Sequence, residues 1–274
     1  MKRETKRNEK LTQKLFLRVK MEAGDVVQSV RECLDEACAG LHVSLVGLAN
    51  QRETALALDS VSGEPLGPAL LWSDARTAEI VRTWHRLEEQ EKSNCDSSIR
   101  TMREITGLPF SPYFSAGKLA WLLRHEPRVA RAAAENRLAF ATVDALLLRA
   151  LTGKLRTDAS NASRTMLMDL DTLAWSSAAV KFCGLGAYQM PEILPSIADF
   201  GTVLEGAAKG ARVTGVLGDQ QAALLGQGCT RAGESKCTFG TGAFLLQHAG
   251  DAVPKNTEGL IATVAVQTDV NKAT

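Results

Sequence analysis

The polar segment 51–54 (QRET) directly follows a short apolar run at 43–48. Such a run is typical of a strand buried on both faces of a sheet, and open α/β sheets bind ligands beyond the carboxyl ends of their strands. Arg52 offers a forked donor and Glu53 a strong acceptor, which suits a ligand with several hydroxyl groups. A surface turn with a salt bridge is the alternative, because charged turn residues are mostly solvated.

A second apolar run, at 213–217, also ends in polar residues, Gly218-Asp219-Gln220-Gln221, before a helical pattern begins. A carboxylate at this place can act as a general base if it reaches a substrate hydroxyl. Asp219 can equally cap the helix, because an acidic residue near a helix start is favoured by the free N–H groups and the dipole. Both roles remain open from the residues alone.

The segment Gly240-Thr241-Gly242 separates two apolar runs and predicts a tight turn between two strands within 238–247. Glycines let a backbone approach a phosphate closely, with amide N–H groups as donors. A plain β-hairpin uses glycines in the same way, so the motif has two interpretations.

Five further side chains are candidates for a pocket. Trp72, Tyr113 and Phe244 can form its walls or belong to the core, as most aromatic residues do. Lys118 and Arg164 can meet a phosphate or remain solvated.

The elements that must position these residues alternate between strand and helix patterns. Apolar spacing predicts a first helix over 25–39, started by Asp25 and ended by Gly40. The residues at 156–171 are expected to be a loop feeding a strand. Further strands are predicted at 55–58, 68–72, 140–143 and 260–266, and further helices at 76–89, 127–136 and 146–153. This interleaving defines an α/β fold.

Composition narrows the class of protein. The chain has 274 residues, is 45% hydrophobic and carries a formal net charge of +1, which is ordinary for a globular protein and argues against a nucleic-acid binder. No apolar run reaches the length of a membrane span. The six cysteines and four histidines lack ligand spacing, so no metal site is predicted from them.

The first twenty residues differ from the rest because they contain eight basic residues and two acidic ones. Blocks of like charge usually stay solvated, so we expect a disordered tail. A transit segment for an organelle and a nucleic-acid arm are the alternatives, and the expected compartment of the protein is otherwise the cytoplasm.

Six segments, taken in order, resemble the glycerol kinases of the FGGY carbohydrate kinase family. The resemblance runs in register from about residue 26 to residue 266, and QRE together with GDQQ is specific for glycerol kinases over the sugar kinases of the family. The segments are GLANQRETALALDSVSGEPLGPALLWSDART (47–77), GLPFSPYFSAGKLAWLL (107–123), TVDALLLRALTG (142–153), TDASNASRTMLMDLDTLAW (157–175), GDQQAALLGQ (218–227) and TFGTGAFLL (238–246).

The resemblance implies an α/β fold of the actin-like ATPase (ribonuclease H-like) type. It divides the chain into a basic tail at 1–24, a substrate domain at 25–229 and the beginning of a second, similar nucleotide domain at 230–274. The implied activity is the transfer of a phosphoryl group from ATP to glycerol, with Mg2+ as the metal. Glycerol and ATP are the implied partners, and a homo-oligomer is left open.

The same resemblance assigns the glycerol hydroxyls to four hydrogen-bonding side chains, those of Arg52, Glu53, Asp219 and Gln220. Tyr113 would add a further polar contact. A triol carries no charge, so its recognition depends on several converging hydrogen bonds within an apolar wall.

The remaining implied roles concern the carbons of glycerol, the reaction and the nucleotide. Trp72 and Phe244 would pack against the glycerol carbons, and Asp219 would accept the proton of the attacking hydroxyl. Gly240 and Thr241 would touch the nucleotide phosphates.

The sequence departs from the family pattern in one important motif. The family opens with a phosphate loop of the form Asp-x-Gly-Thr, whose Asp helps to place Mg2+, and that motif is absent here. We therefore expect the chain to phosphorylate glycerol weakly or not at all. Three alternatives remain open: a kinase for another polyol or sugar, a polyol-binding protein without catalysis, and a truncated gene product.

Overall fold

The computed structural model describes residues 18–94, 100–240, 242–254, 259–269 and 272–273. The helices within these residues are α1 (Ala23–Cys38), α2 (Ala78–Asn94), α3 (Met102–Thr106), α4 (Ser115–His125), α5 (Pro127–Ala134), α6 (Val143–Thr152), α7 (Ala159–Ala162), α8 (Ser177–Phe182) and α9 (Asp219–Gly226). The strands are β1 (Lys20–Met21), β2 (Leu45–Asn50), β3 (Ala55–Asp59), β4 (Ala69–Leu70), β5 (Leu138–Thr142), β6 (Arg156–Asp158), β7 (Met168–Asp169), β8 (Ala174–Trp175), β9 (Glu192–Leu194), β10 (Ile197–Thr202), β11 (Arg212–Gly218), β12 (Ser235–Phe239), β13 (Ala243–Gln247), β14 (Gln267–Asp269) and β15 (Lys272–Ala273).

The sheet that positions the candidate site has the order β10-β11-β2. β11 and β2 run parallel, and their register pairs Gly218 with Asn50 at the last position of both strands. The segments that follow these two strands therefore begin side by side, at the same end of the sheet. Both polar motifs were predicted to follow strands, which is confirmed, and the structure shows in addition that these two strands are neighbours.

Strand β2 does not have the double-sided burial that was predicted for it. Its residues alternate between exposed and half-buried, and only Asn50 is buried. The reason is that β2 lies at the edge of its sheet within the described residues, so Leu45 keeps 62% of its surface exposed. The apolar run alone could not distinguish an edge strand from a central one.

The main core lies on the second sheet, of order β1-β4-β3-β5. Every residue of β3 and of β5 is buried, and the two strands pair antiparallel from Ala55 opposite Thr142 to Asp59 opposite Leu138. Helices α2, α4 and α5 cover one face, with Trp84, Leu119 and Val129 in one apolar cluster. Trp72 follows β4 of this sheet and Tyr113 lies just before α4, so this layer positions both aromatic residues.

The predicted helix pattern is largely confirmed, with two changes at termini. Helix α1 begins at Ala23 and has Glu22 as its N-cap residue, so Asp25 lies inside the first turn and does not cap it. Helix α6 begins at Val143, before the predicted start at 146, and ends at Thr152. Gly153 closes it as predicted, with a φ of 72° in the left-handed region that glycine favours.

Two segments were predicted wrongly. The segment 156–171 is not one loop: it contains β6, α7 and β7, and Asp158 caps α7 by accepting the backbone N–H groups of Ser160 and Asn161. The segment 260–266 is not a strand, because its backbone bonds to groups outside the sheets. Ala262 donates its N–H to the Gly107 carbonyl at 3.3 Å.

Of the predicted basic tail at 1–24, residues 1–17 lie outside the described residues. Lys20 and Met21 pair with β4, so regular structure begins before the predicted boundary. Five of the six cysteines are described, and all five are free thiols. Within the described part of the chain, no helix is long and apolar enough to cross a membrane.

The buried Asp144 carboxyl makes stability depend on pH. Burial raises its pKa to about 6, while Oδ2 accepts a hydrogen bond from the Thr157 hydroxyl at 2.5 Å and Oδ1 has no partner. In the unfolded chain the pKa is that of an ordinary Asp. The folded state therefore holds more protons between about pH 4 and pH 6, and stability falls as the pH rises through that window.

We predict that Asp144→Asn removes this loss. The variant and the wild type should be similar at pH 4, whereas at pH 7 the variant should be more stable by up to about 3 kcal/mol, since one pKa unit corresponds to about 1.4 kcal/mol. Urea unfolding at pH 4, 5, 6 and 7 measures the difference. Parallel pH profiles for the two proteins would contradict the assignment.

Candidate functional site

The two polar motifs meet where β2 and β11 end. The Arg52 Nε lies 3.2 Å from Asp219 Oδ1, and the Arg52 Nη1 donates to Gln221 Oε1 at 3.1 Å. Arg52 is buried, while the Asp219 side chain is 45% exposed. The buried Arg52 guanidinium therefore lies next to the Asp219 carboxylate, which remains accessible to solvent.

The ends of both strands are fixed by helix α7. The Ser160 hydroxyl accepts the Gly218 N–H at 2.9 Å, and the Asn50 amide donates to Asn161 Oδ1 at 2.9 Å. Ser160 and Asn161 are themselves held by the buried carboxylate of Asp158. Since one short helix ties both strand ends, the two motifs have a common anchor.

Glu53 has a strained backbone and a fixed side chain. Its φ of 61° is in the left-handed region, which is uncommon for a residue with a side chain and costs about 1–3 kcal/mol. Arg164 donates from Nε to Glu53 Oε1 at 2.6 Å, and the Ser115 hydroxyl donates to the Glu53 carbonyl at 3.1 Å. These contacts come from elements far along the chain and hold the Glu53 carboxylate beside Arg52.

Three aromatic side chains form one cluster next to these charges. The ring of Trp72 lies 5.8 Å from that of Tyr113 and 6.5 Å from that of Phe244, edge to face in both cases. Gly242 makes room for the third ring, because a Cβ at this position would come within 3.0 Å of the Phe244 ring. Burial raises the pKa of the Tyr113 hydroxyl, so it remains a neutral hydrogen-bonding group.

A cleft of about 1050 Å3 opens beside this cluster, between the hairpin β12–β13 and the segment 259–265. Arg52, Tyr113 and Phe244 line it, together with Arg164 and many apolar side chains. Trp72, Glu53, Asp219 and Gln220 are not among the residues that line this cleft. The volume of this cleft far exceeds what a small polar ligand needs.

Sequence reasoning missed Lys236 and gave no role to Gln221. The Lys236 side chain is buried on β12, and its ammonium group donates to Gln220 Oε1 and, at 2.8 Å, to the Thr238 hydroxyl. A period-of-two argument could have found Lys236: Thr238 pairs with Phe244 across the hairpin, and residues 236 and 238 share a face. The predicted strand began at 238 and so omitted it.

Neither basic phosphate candidate is available for that task. The Lys118 ammonium group is buried and donates to the carbonyls of Pro112 at 2.9 Å and Tyr113 at 2.6 Å. Burial lowers the pKa of Lys118 to about 7. Arg164 is engaged by Glu53, and its guanidinium carbon lies 5.2 Å from the centre of the Phe114 ring. Lys118 therefore fixes the backbone around Tyr113, and Arg164 fixes the carboxylate of Glu53.

The two predicted phosphate contacts lie at the tip of the hairpin. Gly240 is exposed and donates its N–H to the Gly242 carbonyl at 3.0 Å. No heavy atom lies within 4 Å of a Cβ built on Gly240, so its backbone is approachable. Thr241 lies outside the described residues. The described part of the chain holds no group of three or more His, Cys, Asp or Glu side chains arranged for a metal ion.

Comparison with known proteins gives a consistent result. The N-terminal domain of the FGGY family of carbohydrate kinases matches residues 1–226. A glycerol kinase of Alkalilimnicola ehrlichii is 43% identical over 255 residues, which are 90% of this chain and 50% of that protein. A glycerol kinase of Thermus brockianus is 43% identical over 242 residues, 86% of this chain and 47% of that protein.

Solved structures agree with these relatives. The crystal structure of Plasmodium falciparum glycerol kinase with ADP matches with a TM-score of 0.82 and 30% identity, over 93% of this chain and 51% of that chain. A xylulose kinase from Rhodospirillum rubrum matches in fold alone, with a TM-score of 0.68 and 20% identity over 82% of this chain and 46% of that one.

The chain therefore belongs to the FGGY family of carbohydrate kinases, and its fold is the α/β fold of the actin-like ATPase type. It spans about half the length of the curated relatives that it matches. The predicted family and fold are confirmed, while the roles of individual residues remain predictions.

Gly218 offers a test of the Arg52 position. A Cβ at this position would come within 2.6 Å of Arg52 Cδ and 2.7 Å of Cγ. The backbone of Gly218, with φ of −60°, accepts alanine without strain. We predict that Gly218→Ala pushes the guanidinium away from Asp219 and destabilises the fold by about 1–3 kcal/mol, as overpacking does.

Urea unfolding measures this loss. Gly226→Ala is the matched control, because no atom lies within 4 Å of its added Cβ and alanine favours a helix. Equal stabilities for Gly218→Ala and the wild type would contradict the close packing of Arg52 under Gly218.

Proposed function

We propose that this chain supplies the glycerol-binding site of a glycerol kinase, which transfers a phosphoryl group from ATP to a glycerol hydroxyl. The observation that carries the proposal is the buried Arg52 guanidinium placed 3.2 Å from the accessible Asp219 carboxylate. Its relatives are named glycerol kinases, which supports glycerol as the substrate over other polyols.

Recognition of glycerol follows from the mixture of donors and acceptors. Arg52 donates to hydroxyl oxygens, Asp219 and Glu53 accept hydroxyl hydrogens, and Tyr113 can do both. The aromatic cluster of Trp72, Tyr113 and Phe244 provides an apolar surface for the carbon chain. In this proposal, glycerol lies between that cluster and the Arg52–Asp219 pair.

Asp219 acts as the general base in the proposed reaction. The attacking hydroxyl donates its hydrogen to the carboxylate, and its oxygen becomes a better nucleophile. The Gln220 backbone N–H donates to Asp219 Oδ1 at 2.7 Å, and the Arg52 Nε lies 3.2 Å from that oxygen. Among the described residues, Oδ2 has only the long 3.5 Å contact with Gln220 Nε2, so we assign the proton to Oδ2. Phosphoryl transfer depends mainly on such positioning and on electrostatic stabilisation.

ATP supplies the phosphoryl group, and Gly240 and Thr241 are its proposed contacts. The open space around Gly240 is compatible with close approach of a phosphate to the backbone. The described residues form no group of three or more His, Cys, Asp or Glu side chains that could hold a metal ion by themselves, and Mg2+ is usually held by one or two carboxylates together with the phosphates. No step of the proposed reaction is assigned to the metal.

We predict that Arg52→Ala weakens glycerol binding about ten- to hundred-fold, because hydrogen bonds to a charged group contribute about 1.5–3 kcal/mol. Isothermal titration of glycerol into the purified chain measures this change. Arg128→Ala, at an exposed arginine on α5, is the matched control and should bind as the wild type does. Tighter binding of a pentulose than of glycerol would contradict glycerol as the substrate.

We predict that Asp219→Asn retains glycerol binding within a few-fold but lowers the rate of glycerol 3-phosphate formation about 100-fold or more, which is the usual range for a general base. A coupled assay with ATP over long incubations detects the weak activity expected of the wild type. Undiminished turnover in the variant would exclude Asp219 as the base. Glycerol binding by the wild type without any product would indicate a polyol-binding protein without catalysis.

A further inference from the structure

A buried lysine that has no assigned role lies directly behind the proposed substrate residues. Lys236 is 3% exposed, lies on β12 and contacts Gln220 on α9. Its ammonium group donates to Gln220 Oε1 and to the Thr238 hydroxyl. Burying an ammonium group is costly unless it is paired in this way, so the position calls for a physical reason.

The Lys236 contact determines how the Gln220 amide is oriented. An ammonium group can only donate hydrogen bonds, so the atom of Gln220 that faces it must be the oxygen. The NH2 group must then point the other way, where Nε2 lies 3.5 Å from Asp219 Oδ2. The amide therefore presents donors on the side of the Asp219 carboxylate.

Nearby charges act on the Lys236 ammonium group and on the Gln220 amide that it contacts. Burial and the neighbouring Arg52 guanidinium lower the pKa of Lys236, whereas Asp219 opposes that change. A neutral residue at 236 would remove the donor that fixes the Gln220 oxygen on this side, and among the described residues only the 3.5 Å contact between Nε2 and Asp219 Oδ2 would still orient the amide. The Gln220 donors would then no longer be held in one direction beside the Asp219 carboxylate.

We propose that Lys236 is a positioning residue that holds Gln220 as a hydrogen-bond donor beside Asp219, and so determines which hydroxyl pattern the site accepts. The proposal rests on the proposed function, because it assumes that a polyol binds next to Asp219. It adds a residue that determines specificity and that comes from the hairpin β12–β13. Arg52 and Asp219, in contrast, follow the ends of β2 and β11.

The test uses Lys236→Met, which keeps the length of the side chain and removes the charge. We expect glycerol affinity to fall about ten-fold, and discrimination between glycerol and the two propanediols, each lacking one hydroxyl, to decrease. In a Gln220→Ala background, the same substitution should have little further effect, because the two residues act as a unit. Lys181→Met, at an exposed lysine on α8, is the matched control.

A second measurement separates this proposal from the proposed function. The side-chain amide signal of Gln220 in a 15N-labelled, ligand-free chain should shift in Lys236→Met and not in Lys181→Met. An unchanged Gln220 signal would overturn the positioning role even if glycerol binds. A shifted signal in a chain that binds no polyol would support the orientation of Gln220 and contradict the proposed function. Unaltered discrimination among the three polyols would overturn the specificity role.

Discussion

The buried carboxylate of Asp158 is the constraint on which the geometry of the site depends. It accepts hydrogen bonds from the N–H groups and side chains of Ser160 and Asn161 and from the Ser196 hydroxyl, at 2.7–3.0 Å. Burial raises its pKa. Most buried carboxylate oxygens in proteins have hydrogen-bond partners, and both oxygens of Asp158 do. Through Ser160 and Asn161 the same carboxylate ties the ends of β2 and β11 together, so the motifs after them share one position in space.

The proposed site is a chain of alternating charges in a mostly buried setting. Arg164 holds Glu53, Glu53 lies beside Arg52, and Arg52 faces Asp219. Each buried charge has an opposite neighbour, which offsets the cost of removing it from water. Such a network adds little to stability, but it fixes directions: donors and acceptors are aimed before any ligand arrives. The backbone of Glu53 is also strained, because its φ is in the left-handed region, and the surrounding contacts hold it there.

Much of this arrangement could be predicted because it depends on local patterns. The apolar runs before Arg52 and Asp219 predicted that each residue follows a strand, and β2 and β11 confirmed it. Only the structure showed that the two strands are parallel neighbours. The roles of Arg164 and Lys118 could not be predicted in the same way. Arg164 meets a partner 111 positions away, and Lys118 meets the carbonyls before its own helix, which only a defined turn brings within reach. From charge alone, both side chains were expected either to meet a phosphate or to remain solvated.

The sequence by itself determined the family and the alternation of strands and helices, and it named candidate residues for a polyol site, because motif order and hydrophobic period are properties of the chain. Only the tertiary structure decided that β2 is an edge strand among the described residues, that Asp158 anchors both motifs, and that the Lys236 ammonium group donates to Gln220. Those features depend on which segments pack against each other across the fold. An isolated side chain carries no information about such partners, since its charge and size are compatible with either a solvated or a buried position.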